Sequence, residues 1–276
     1  MVYKKIFFAL FLSFLLVFPA CKKGKKITEK LRIVSVVPSS TEILFAIGAE
    51  EKIVGVSVNC DYPEDVFNIK KVGDYGAPSM EKIIALNPTL VILSPRIHDL
   101  LKESLINAGI NVYVSKIETI EDIFREIKKF GELTGRHKNA EQLVVNLKRD
   151  LEKVKVKKPN KRIYIEISGN PLISIGRRSY INEMITLAGG ENVFGEIDDS
   201  YPVIQQEDVI RRNPEIILIF HLARKEDIRS RLGWKNIDAI KNDKIYIKNT
   251  DDLILRPGPR FIDGIKRLKK IIKELS

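Results

Sequence analysis

Glu81-Lys-Ile-Ile-Ala-Leu-Asn-Pro88-Thr-Leu-Val-Ile-Leu93 and Glu207-Asp-Val-Ile-Arg-Arg-Asn-Pro214-Glu-Ile-Ile-Leu-Ile219 lie in opposite halves of the chain and share one design. Each opens on Glu, runs through a helical stretch to Asn-Pro, and enters a β-branched apolar run. Proline lacks the amide and the freedom to continue a helix, so Asn-Pro marks its end. An apolar run of that length between turn signals reads as a strand buried on both faces. A second pair matches at a similar offset: Glu42-Ile-Leu-Phe-Ala-Ile-Gly48 resembles Glu183-Met-Ile-Thr-Leu-Ala-Gly189, each a short helix stopped by glycine. Two such matches predict two lobes built on one plan.

Working outward, the first lobe predicts strands at 33–37, 53–58, 90–93 and 112–114. Helices fall between them at 41–47, 79–86 and 100–108, the first opened by a Ser39-x-x-Glu42 capping box. The second lobe predicts strands at 163–167, 172–175, 216–220 and 245–247, with helices at 180–188, 206–212 and 261–275. Strands alternating with helices mean mostly parallel sheets with right-handed crossovers. The fold class is therefore α/β, with two similar Rossmann-like lobes and a ligand cleft between them. Apolar stripes at helical spacing fill the middle, Ile120 to Leu133 and Leu143 to Val154. A helix over 137–156 would span about 30 Å and join the lobes. The divisions are a leader at 1–20, a tether at 21–31, a first lobe at 32–136, a linking helix at 137–158 and a second lobe at 159–276.

The leader rests on Lys4 and Lys5 followed by an apolar run, Ile6 to Phe18, too short for a span of about 20 residues. It ends at Pro19-Ala20-Cys21, which resembles a bacterial lipoprotein signal. That resemblance implies cleavage before Cys21, a lipid on its thiol, and a mature protein anchored outside the cytoplasmic membrane. The Lys-rich stretch after it reads as a flexible tether.

The 276 residues are 44% hydrophobic and carry a net charge of +11, which excludes global disorder. The charge does not predict nucleic-acid binding: lysines and arginines are spread over most helices, mixed with acids and without an aromatic platform. Two cysteines make no disulfide framework, and three histidines, none at ligand spacing, argue against a zinc or manganese site. Abundant Lys, Glu and Ile with little Cys and Met match a thermophile's composition. Cys60 with His98 or His221 and Asp61 or Asp251 could form a nucleophile set for a hydrolase. No nucleophile elbow, zinc-helix motif, Walker loop or dinucleotide fingerprint accompanies them, so the expectation is a binding protein and not an enzyme.

Arg32-Ile-Val-Ser-Val-Val-Pro-Ser-Ser-Thr-Glu42, Val54-Gly-Val-Ser57, Asp61-Tyr-Pro63, the Glu81–Pro88 unit and Arg256-Pro-Gly-Pro-Arg260 carry a family likeness. They resemble the helical-backbone class of ABC-transporter substrate-binding proteins, most of all its cobalamin-binding branch. The resemblance implies no cofactor of the protein's own. The ligand it implies is cobalamin-like, with haem or a ferric siderophore as the alternative. Expected partners are a permease dimer with cytoplasmic ATPase subunits, the protein itself being a monomer. It further implies that Glu81 and Glu207, one per lobe, dock on permease arginines. The branch's cleft tryptophans have no counterpart: Asn59 and Tyr75 stand there and Trp234 lies elsewhere.

In open α/β sheets ligands bind beyond the carboxyl ends of the strands. By that rule the first lobe offers Ser39 and Ser40, then Asn59, Asp61 and Tyr62, then Tyr75 in the 74–79 loop and His98 in the 95–98 loop. The second offers Arg177 and Tyr180, His221, and Asp251 with Asp252. If the ligand carries haem iron, His221, His98 or Tyr75 would be its axial donor.

Overall fold

The computed structural model describes residues 30–156 and 160–276. The expected leader, Cys21 and nearly all of the tether lie outside these residues. In the first lobe, β1 (Ile33–Ser35) is flanked by β2 (Ile53–Val56) and β3 (Leu90–Leu93), and β3 by β4 (Val112–Val114). All pairings are parallel, with Ile33 opposite Leu90 and Val91 opposite Val112. Crossovers run through α1 (Pro38–Ala46), α2 (Met80–Ala85) and α3 (Asp99–Asn107). Val34, Val91, Ile92 and Leu93 are fully buried, as strands covered on both faces must be.

Two long helices follow, α4 (Ile120–Thr134) and α5 (His137–Val154). Thr119 caps α4 reciprocally with Asp122: its hydroxyl accepts from the Asp122 amide at 3.1 Å, while Asp122 accepts from the Thr119 amide at 2.8 Å. Gly135, at φ 73°, ends the helix in the left-handed conformation that favours glycine.

The second lobe is built on β5 (Lys161–Gly169) and completed by β6 (Leu172–Ser174), β7 (Gly190–Asn192), β8 (Ile216–Ile219) and β9 (Ile245–Ile247). The order is β6-β5-β8-β9, with β7 also on β5; only the β5–β6 hairpin is antiparallel. Its helices are α6 (Tyr180–Leu187), α7 (Gln206–Arg212), α8 (Lys225–Arg229), α9 (Asp238–Lys241), α10 (Asp252–Leu255) and α11 (Phe261–Leu275).

The repeated unit is one structure used twice. Asn87 and Asn213 both adopt left-handed backbone, at φ 46° and 43°, before their prolines. In both lobes the arginine that precedes the apolar part of the central strand closes the helix of the repeated unit, which comes later in the chain. Arg32 donates to the Leu86 carbonyl at 2.6 Å, and Arg162 donates to the Arg212 carbonyl at 2.9 Å.

The expected capping box at α1 does not form. Pro38 occupies the first helical turn, where its missing amide costs nothing, and Val37 provides no side-chain cap. Ser39 therefore lies inside the helix, and Glu42 turns away to the second lobe. The helix α5 is the covalent link, but it does not join the lobes alone. One continuous core runs from Ile33 to Ile272 and includes Phe124, Ile127 and Phe130 of α4, Leu147 of α5, Met184 of α6 and Leu268 of α11. A second core, around Tyr164, Phe194 and Trp234, covers the other face of the second sheet.

Candidate functional site

Both sheets end in a common cavity of about 640 Å³. Its first-lobe wall is Val37 to Ser39 at the start of α1, Asn59 after β2, Tyr75, Ser94 to Ile97 after β3, and Ser115 to Glu118 after β4. Its second-lobe wall is Ser200 and Tyr201, Thr250 and Asp252 after β9, and Leu255 to Pro257. The cleft thus lies beyond the carboxyl ends of β1 to β4 and β9, where parallel sheets expose loop amides. Its size falls within the roughly 300–1,000 Å³ of small-molecule sites.

An ion-pair network closes one side. Glu42, 4% exposed, accepts from Arg260 at 2.8 and 2.5 Å and from Arg256 at 3.4 Å. Arg256 also reaches Asp61 and the Asn59 carbonyl, and pairs with Asp252 at 3.1 Å. Arg260 lies over the Tyr62 ring, 4.0 Å from its centre. The guanidinium of Arg256 holds the Asp61 carboxyl below its ordinary range. On the other side Arg178 bonds Glu118 at 3.1 Å, and that contact, with Lys116 at 3.1 Å, lowers the Glu118 pKa. Nearby, Glu183 of α6 accepts from the Ile120 amide at the start of α4, at 3.2 Å.

Of the residues singled out in the sequence, Ser39, Asn59, Tyr75 and Asp252 line the cavity. Asp61 stands behind its wall as the partner of Arg256, and Tyr62 faces a separate groove beside Arg260. Ser40 points inward and donates to Glu126 at 3.0 Å. Tyr180 is 1% exposed, and its hydroxyl donates to the Ile254 carbonyl at 3.2 Å. Asp251, also 1% exposed, is spent on Lys248 and Arg267 at 3.0 and 3.4 Å. Arg177 pairs with Asp198 at 2.9 Å and stays outside the lining.

Neither histidine faces the cavity. His98 is 2% exposed; its Nδ1 accepts from the Ser94 amide at 2.9 Å, so its Nε2 donates to the Tyr75 carbonyl at 2.6 Å. His221 places Nε2 2.7 Å from buried Glu166, which also binds Arg231 at 2.6 and 2.7 Å and the Tyr164 hydroxyl at 2.7 Å. Of the three axial donors considered, only Tyr75 is on the wall. Cys60 is 1% exposed, with the Thr41 and Ser57 hydroxyls 3.3 Å from its sulfur and no histidine bonded to it. The nucleophile set is therefore not assembled.

The sequence pointed to the 95–98 loop without singling out Arg96 and to Arg256 only as part of the family likeness, and it did not flag the 115–118 segment or Ser200–Tyr201. The 115–118 segment follows a parallel strand and obeyed the same strand-end rule. Ser200 and Tyr201 follow no strand end; turn bonds from Gly176 and Arg178 to the Ser200 and Asp199 carbonyls bring them in.

A family model described as periplasmic binding protein matches residues 33–250. The chain belongs to that family. It is 33% identical over 256 residues to the ABC transporter substrate-binding lipoprotein YvrC of Bacillus subtilis, covering 88% of this chain and 80% of that one. It is 31% identical over 239 residues to the vitamin B12-binding protein of Vibrio parahaemolyticus, covering 85% and 86%. A solved structure described as a possible iron-binding (periplasmic solute-binding) protein from Staphylococcus epidermidis superposes with a TM-score of 0.75 at 31% identity, over 87% of this chain and 98% of that one. The periplasmic binding protein family works outside the cytoplasmic membrane, and the two-lobed cleft is the feature by which such proteins hold a solute.

Proposed function

We propose that this periplasmic binding protein is the solute-capturing component of an ABC importer and that its cargo is a corrinoid. The observation that carries the reading is the cavity of about 640 Å³ walled by loops from both lobes. Likeness to a vitamin B12-binding protein over 85% of the chain supports the corrinoid. The wall combines apolar Val37, Ile97 and Leu255 with hydroxyls and amides from Ser39, Asn59 and Thr250, a mixture suited to a flat macrocycle fringed with amides. A ferric chelate or haem is the second reading. It is favoured by likeness to a possible iron-binding protein and by Tyr75, a phenol on the wall.

Cargo delivery assigns Glu81 and Glu207 to the permease. Each stands in the first turn of its helix, each is exposed, and neither has an ion-pair partner among the described residues. One acid per lobe suits a two-fold partner, where rim charges set encounter rate and register. Exchanging both for Ala is expected to leave ligand affinity unchanged and to slow uptake in reconstituted vesicles. Lipidation of Cys21 would keep the protein at the membrane surface.

The ligand is tested by mixing the protein separately with cyanocobalamin, haemin and a ferric hydroxamate and recording visible spectra after gel filtration. Retention of the cobalamin chromophore at one equivalent is expected. Retention of haemin or the ferric chelate alone overturns the corrinoid reading.

A further inference from the structure

Five charged side chains line the cavity: Arg96, Lys116, Glu118, Asp252 and Arg256. Four are already engaged. Lys116 pairs with Glu118 and Glu118 with Arg178, both at 3.1 Å. Asp252 pairs with Arg256, which also holds Asp61 and Glu42. Arg96 alone has neither a carboxylate within ion-pair distance nor a side-chain hydrogen bond among the described residues.

Its backbone is unusual as well. Arg96 sits at φ 64°, a left-handed conformation that a side chain with a Cβ rarely adopts. The turn is nonetheless fixed on both sides. The Ile97 amide donates to the Pro95 carbonyl at 2.8 Å and the Asp99 amide to the Arg96 carbonyl at 3.3 Å. Buried His98 then pins the loop to the Ser94 amide and to the Tyr75 carbonyl. A strained residue held between anchored neighbours is the pattern of a side chain positioned for use. Across the opening stands Tyr201. Both residues line the cavity, so exposed Arg96 borders the ligand space.

We propose that Arg96 is the recognition point for an anionic group of the cargo, a carboxylate or a phosphodiester, gripped at the first-lobe wall. The inference rests on the reading of this cleft as the cargo site, and it adds that the cargo carries negative charge at that end. A guanidinium offers paired donors in a planar fork that fits either anion, and it stays charged at every working pH. It has no internal carboxylate to give up before it binds the ligand.

The test uses two corrinoids that differ in the group at issue. Cyanocobalamin carries a phosphodiester in its nucleotide arm, and dicyanocobinamide lacks it. Absorbance titration of the wild type and of Arg96→Gln is expected to show cyanocobalamin weakened tenfold or more by the substitution and cobinamide unaffected. Arg96→Lys, which keeps the charge, should restore most of the difference. Equal weakening of both corrinoids, or of neither, overturns the role of Arg96. If the wild type binds haemin and no corrinoid, the corrinoid reading falls, and the same comparison is made with haemin and its dimethyl ester. A loss confined to haemin then supports Arg96, and equal binding overturns it. Failure of all four probes to bind the wild type overturns both proposals.

Discussion

Glu126 and Glu166 are both buried carboxylates, and their surroundings push them in opposite directions. Glu126 accepts only from hydroxyls, those of Ser115 at 2.6 Å, Ser40 at 3.0 Å and Tyr113 at 3.3 Å. Burial without a cation raises its pKa. A raised acid contributes most to stability at low pH and loses that contribution as pH rises through its folded value. Glu126→Gln is therefore expected to gain on the wild type in urea unfolding as pH rises above the ordinary carboxylate range. Burial would also raise Glu166, but the bidentate bond from Arg231 outweighs it and the net shift is downward. Its contribution is present above the ordinary carboxylate range and fades as pH falls below it. Glu166→Gln at neutral pH leaves half-buried Arg231 beside a neutral amide, and a loss of about 2–4 kcal/mol follows, the low side of a buried pair because solvent reaches the guanidinium. A pH profile of Glu126→Gln parallel to that of the wild type would refute the first expectation. A cost under about 1 kcal/mol would refute the second.

Among the elements, those with strong periodicity were legible and those fixed by distant partners were not. The apolar runs at 90–93 and 216–219 sit between Asn-Pro and a polar loop, so local chemistry alone delimits β3 and β8. By contrast β7 is Gly-Glu-Asn, with no apolar signal, and it exists because Gly190 and Asn192 pair with Lys161 and Ile163. The short helices α8 to α10 are one turn or little more, too brief to display a repeat. At the site, the loops could be named from strand ends, but the partners of each side chain could not. Ser39-x-x-Glu42 had the letters of a cap, and two arginines more than two hundred positions away took the glutamate. Asp122 meets only Arg125, one turn along the same helix, and its box with Thr119 forms. Thr119→Ala is accordingly expected to cost about 1 kcal/mol, measured by the urea midpoint at unchanged slope. Retained stability would mean that Glu183, which also takes an amide at this helix end, carries the cap alone.

For the whole molecule, α5 is a stiff covalent link, and the continuous core through α4, α6 and α11 braces it. The Glu42, Arg256 and Arg260 network adds a buried polar tie at one edge of the cleft. Bending such a joint would break helix hydrogen bonds and expose core, so ligand capture should move the lobes by a few degrees only. Small-angle scattering with and without bound ligand is expected to give nearly the same radius of gyration. A contraction of several ångströms would contradict this.

Glu42 also has a history within each newly made molecule. Synthesis proceeds from the amino end, so the first sheet and α1 emerge while the residues that will satisfy this carboxylate are still untranslated. Until residue 260 is available, the Glu42 carboxylate keeps its water, because the 256–260 segment that pairs it also helps to cover it. The first lobe is therefore finished by the segment that leads into the last helix. A chain truncated before Arg256 lacks this tie and is expected to be cut faster than the full chain in limited proteolysis, and equal rates would contradict it.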